Sequence, residues 1–107
     1  MKLSTQSDAQ ILAVADPIMD NLMDASTAID YDRHTRDFTE RARRALPREA
    51  LRPICEQYQR ELGFFGPREF VAIFRRADSV AIIWRQTFTK AAGDFVAEMV
   101  LVEEGGR

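Results

Sequence analysis

Residues 64–102 read FFGPREFVAIFRRADSVAIIWRQTFTKAAGDFVAEMVLV, and the rhythm of this stretch decides the fold. Phe70 to Phe74, Val80 to Trp84 and Phe95 to Val102 are nearly continuous runs of β-branched and aromatic residues at strand length. They predict three strands, over about 68–75, 79–89 and 94–103. Arg76-Ala77-Asp78 and Ala91-Ala92-Gly93 between them are short enough for hairpins, so the strands are expected to form an antiparallel meander. Phe64-Phe65-Gly66-Pro67 reads as a loop whose aromatics plug one end of the core. Upstream, from Asp8 to Leu62, apolar residues recur three and four apart, which is helical spacing. Helices first and strands last specify an α+β layer fold, with the N-terminal helices on one face of a curved antiparallel sheet.

The strands are apolar on both faces. In the second, Val80, Ile82, Trp84 and Phe88 share one face, and Ala81, Ile83, Arg85 and Thr87 the other. In the third, Phe95, Ala97, Met99 and Leu101 oppose Val96, Glu98, Val100 and Val102. A sheet with one face in water should alternate cleanly between apolar and polar, so a second cover is expected beyond the helices. A second copy of the chain is the simplest cover, making the protein a homodimer. The interface would be formed by Ile83, Arg85, Glu98, Val100 and Val102, with Arg85 and Glu98 on adjacent strands placed to meet as an ion pair.

In the helical half, Ser7 and Gln10 form a candidate capping box that starts a helix. Ile11, Ala15, Ile18, Leu22 and Ala25, joined by Leu12, Met19 and Met23, make a broad apolar stripe from about residue 8 to 28. Pro17 interrupts it, and because the stripe continues in phase a kink is favoured over a restart capped by Asp16. Ala28 to Asp37 is polar, with Tyr31 and Phe38 as large anchors, and reads as a turn entering a brief helix through Ala45. Leu46-Pro47 closes that segment. Leu51, Ile54, Cys55, Tyr58 and Leu62 then share one face of a third helix ending at Gly63, with Pro47 and Pro53 suited to its first turn.

At 107 residues the chain has the size of one domain, helical over 8–63 and sheet over 68–104. No apolar stretch has membrane-spanning length and no secretory signal is visible, so the expected setting is the cytoplasm. The lone Cys55 cannot form an internal disulfide and reads as buried filler. Glu104-Gly105-Gly106-Arg107 looks like a hairpin turn with no strand after it, which favours a natural protein that continues beyond residue 107. Charge is uneven. Residues 1–32 set Lys2 against six aspartates, and residues 33–52 set seven arginines against Asp37, Glu40 and Glu49. The arginines could form a phosphate or nucleic-acid patch, or a solvated helix face pairing with the acidic helix before it. The second reading is favoured, because the domain is acidic and no aromatic interleaves Arg41 to Arg44 to stack on bases.

The order of amphipathic helix, aspartate-rich turn, two helical pieces and antiparallel strands resembles the nuclear transport factor 2-like and cystatin-like superfamily. Ala25 to Phe38 (ASTAIDYDRHTRDF), Glu61-Leu62-Gly63-Phe64 and Val80-Ala81-Ile82-Ile83-Trp84 carry the likeness, which is closest to small bacterial domains of unknown function and spans about residues 8–104. The resemblance implies a cone of helices on a curved sheet. Family members include isomerases, cyclases and dehydratases, non-catalytic ligand-binding or accessory domains, and protein-transport dimers. The chain departs from the family pattern in lacking the final strand or strands.

His34, the one histidine, lies near Tyr31, Asp32 and Asp37, and an imidazole beside a carboxylate can form a general acid/base pair. The competing reading is a surface turn in which Asp30 or Asp32 caps the next helix, and the loose spacing favours it. Tyr31, Tyr58, Trp84 and Phe88 could line a pocket for a small apolar ligand between helices and sheet; the competing reading makes Tyr58 and Trp84 core residues with their polar tips at the rim. One histidine and one cysteine far apart supply no metal set, and neither a glycine-rich phosphate loop nor a nucleophile elbow is present, so no cofactor is expected. Two functions fit these residues. The favoured one is a non-catalytic binding or interaction module that dimerises through its sheet. The alternative is a small cofactor-free isomerase or dehydratase drawing on Asp32, His34 and Tyr58.

Overall fold

A computed structural model describes residues 2–102. A single 3-10 turn at Leu3–Thr5 precedes helices α1 (Asp8–Ala28), α2 (Tyr31–His34), α3 (Glu40–Ala45) and α4 (Arg48–Glu61). Strands β1 (Phe65–Arg75), β2 (Ser79–Phe88) and β3 (Phe95–Val102) follow, as an antiparallel sheet in the order β1-β2-β3. The fold is α+β, as the change of rhythm requires. The expected sheet residues 103 and 104, and the turn Glu104 to Arg107, lie outside the described residues.

Helix α1 organises the core. Ser7 Oγ accepts from the Gln10 amide at 3.2 Å while Gln10 Oε1 accepts from the Ser7 amide at 2.9 Å, so two orphan donors are satisfied at its start. The helix runs unbroken through Pro17, with no restart at Asp16. Ile11, Ala15, Met19 and Met23, each four residues on, face Val80, Ile82 and Trp84 of β2 and make one buried cluster. Ile18 and Leu22, at the edge of the stripe, stay only half-buried. α1 ends on Ile29 in the left-handed region (φ 54), where a β-branched residue is strained; the Asp30 amide donates to the Ala25 carbonyl at 2.8 Å across the reversal.

Beyond that reversal the expected turn contains the helical turn α2, whose first amides are capped by Asp30 (Oδ1 to the Arg33 amide, 3.2 Å). Thr39 caps α3 in the same way, at 3.1 Å from the Ala42 amide. α4 buries Leu51 and Cys55, but Ile54, expected on that face, is 53% exposed. Ser26 on α1 binds the Tyr58 hydroxyl at 2.8 Å and tethers α4 to α1.

The loop expected at Phe64–Pro67 is largely strand, since β1 already pairs at Phe65 with Phe88. β1 is an edge strand and its register shifts between Phe65 and Arg68, so Pro67 sits where no ladder donor is missed. Arg68 joins β1 to α1: its guanidinium reaches Asp16 at 3.1 Å and Asp20 at 2.9 Å and lies 5.4 Å from the centre of the Trp84 ring.

Candidate functional site

Two surfaces stand out, the uncovered sheet face and a groove along the outer edge of β3, which no strand pairs among the described residues. On the uncovered face the register lines residues up in rows across the three strands: Phe74, Ala81 and Val100, then Ala72, Ile83 and Glu98, then Glu69, Arg85 and Val96. Phe74 is 61% exposed, Val100 55% and Val96 77%, and Val71, displaced by the second register shift in β1, adds another exposed side chain. The face is apolar toward Phe74, Val100 and Val102, and charged toward Glu69, Arg85 and Asp94.

The expected Arg85–Glu98 pair does not form. Glu98 lies opposite Ile83, and Arg85 opposite Val96. Arg85 instead binds Glu69 at 2.7 Å across the β1–β2 ladder and approaches Asp94 at 3.5 Å. Of the proposed interface residues, Arg85, Glu98, Val100 and Val102 are exposed and Ile83 is half-buried.

The groove has a volume of about 340 Å³ and lies between α1, the α2–α3 segment and β3. Ile18 and Leu22 come from α1, Phe38 and Ala42 from the opposite wall. Residues 98 to 102 of β3 all line it. Because successive side chains of a strand point to opposite faces, five consecutive lining residues mean that β3 presents its edge here, not one of its faces. Three of the polar side chains on the walls are already engaged: Asn21 Nδ2 donates to the Arg33 carbonyl at 2.8 Å, Thr39 caps α3, and Asp37 binds Arg36 at 3.1 Å.

His34 lines this groove, packed edge-on against Phe38 at 5.4 Å, with its Nδ1 buried and without a partner. Burial lowers its pKa from the usual 6.5, holding the imidazole neutral. The other acid/base candidates are elsewhere. Asp32 binds Arg48 at 2.6 Å in a separate polar depression, where that hydrogen bond raises the Arg48 pKa still further. Tyr58 is tied to Ser26 at the α1–α4 contact.

The four ligand candidates are likewise distributed over three places. Trp84 is 2% exposed and fills the core. Tyr58 and Phe88 flank Phe65 at 5.4 and 5.2 Å, and Phe95 extends that aromatic row. Tyr31 donates its hydroxyl to the Leu46 carbonyl at 2.7 Å beneath the Arg48 guanidinium. Ile18, Leu22, Phe38 and Ala42 escape a sequence reading, because helical periodicity marks them as apolar without saying which neighbour each will meet.

Among the described residues no helix is long and apolar enough to cross a membrane, and no three potential metal ligands gather. No family model, no curated protein and no solved structure matches this chain.

Proposed function

We propose that this protein is a non-catalytic interaction module that works as a homodimer, two copies meeting through the uncovered faces of their sheets. The observation that carries this reading is the block of Phe74, Val100 and Val102 on that face, all exposed in the single chain. An apolar patch bordered by charges such as Glu69, Arg85 and Asp94 has the layout of an interface with a dry centre and a wet rim. The resemblance to the nuclear transport factor 2-like superfamily belongs to the same proposal, since that superfamily includes dimers. A cytoplasmic setting fits it too, because the lone buried Cys55 suits a reducing compartment.

The acid/base alternative has less support. General acid/base chemistry needs its groups within reach of one substrate, and Asp32, His34 and Tyr58 belong to three different environments. The deciding experiment is sedimentation equilibrium at micromolar concentration on the wild type and Val100→Glu. The wild type is expected to be dimeric and the variant monomeric. A monomeric wild type, or a soluble dimer unaffected by the substitution, would remove the proposal.

A further inference from the structure

We propose that the groove beside β3 is a strand-addition site, which takes an extended, basic peptide segment of another protein into the sheet as a fourth strand. β3 is an edge, with β2 as its strand neighbour, and residues 98 to 102 turn that edge into the groove. An edge strand offers a row of backbone donors and acceptors, and only another backbone in extended form can match their spacing. The wall side chains Asn21, Thr39 and Asp37 are held by partners of their own, so the polar capacity of the groove resides in that backbone edge together with His34 Nδ1 and the Glu98 carboxylate. Ile18, Leu22 and Phe38 would receive alternate side chains of the guest, as strand addition requires.

Charge selects among guests. Asp37 and the nearby Arg36 neutralise each other, which leaves Glu98 as the charge that lines the groove, and no lysine or arginine lines it. A segment carrying lysine or arginine beside its apolar residues is therefore complementary, and an acidic one is repelled. A second copy fits poorly, because its own α1 and α3 flank its own β3 and would compete with this helical wall for the same space. Glu98, Val100 and Val102 border both surfaces, but the peptide would pair with the backbone edge of β3 and the dimer with its face, so peptide anisotropy and sedimentation report on the two proposals separately.

The test uses a fluorescein-labelled acetyl-Lys-Val-Thr-Val-Thr-Val-Lys-amide peptide, measured by anisotropy and by backbone amide shifts. Two further probes are the same peptide N-methylated at alternate amides and a version with glutamate in place of lysine. The lysine peptide is expected to bind with its largest shifts in β3, and both other probes to bind at least about tenfold more weakly, one hydrogen bond or charge contact being enough for that ratio. Glu98→Lys, an exposed change, should reverse the preference between the lysine and glutamate peptides. Phe38→Ser should weaken both, and Ala42→Gln, which crowds the same wall without adding charge, serves if that variant does not fold. Equal binding of the N-methylated peptide would make the groove a slot for small apolar ligands and overturn the proposal. So would no binding up to the solubility limit of the probe.

Discussion

The two faces of β2 carry the same kinds of residue and meet opposite fates. Val80, Ile82 and Trp84 are at most 2% exposed beneath α1, whereas Ala81 and Ile83 and their cross-strand partners Ala72, Phe74 and Val100 have no such cover. Hydrophobicity alone therefore does not assign a side chain to the core. A face contributes to folding in proportion to the apolar area removed from water, and α1 removes it on one side only. The uncovered side holds that gain in reserve for association.

The hardest test of this asymmetry is Trp84→Ala, which opens a cavity between α1 and the sheet. It should cost about 3–5 kcal/mol in urea unfolding, enough to unfold much of a marginally stable domain. A loss under about 1 kcal/mol would mean that the covered face is not the stabilising one. Arg68→Met comes next. It keeps the side-chain stem but removes the bonds to Asp16 and Asp20 that fasten α1 to β1, at a cost of about 1–3 kcal/mol that shrinks in high salt because the two carboxylates are 46% and 65% exposed.

His34 sharpens the comparison by pH. Its pKa in the fold lies below the unfolded 6.5, so as the pH falls past that value the unfolded chain takes up the proton first. The His34 contribution is thus present at neutral pH and is lost as acid approaches the folded pKa. Urea midpoints measured at neutral and mildly acidic pH should fall less in His34→Gln than in the wild type; parallel curves would deny His34 its buried environment. The smallest effect on folding is expected from Phe74→Glu combined with Val100→Glu. Both positions are exposed in the monomer, so its stability should stay within about 0.5 kcal/mol while self-association disappears. A collapse of monomer stability would show that the face is already covered within one chain.

Much of the fold was legible because it rests on local chemistry. The Ser7–Gln10 box, the helix stop near Gly63 and the hairpins at 76–78 and 91–93 need only neighbouring residues to be understood. The reading failed where a local signal was outvoted by a distant partner. Gly66-Pro67 looks like a loop, yet the edge of β2 draws it into β1. Arg85 and Glu98 look like a pair, yet the register offset sends Arg85 to Glu69. The groove was the least legible feature, since it is built from Ile18 and Leu22, Phe38 and Ala42, and β3, three segments whose juxtaposition no spacing encodes.

By itself the order of residues determined the class of this protein: helices before strands, a meander by virtue of short connections, and apolar residues on both sides of the sheet. Periodicity suffices for that, because it reflects the geometry of a single element. Tertiary structure alone decided which side α1 would cover, that the acid/base candidates would lie apart, and that, among the described residues, the outer edge of β3 would face an apolar wall. Those outcomes depend on how separate elements dock, and docking follows summed contacts between distant segments that no local pattern contains.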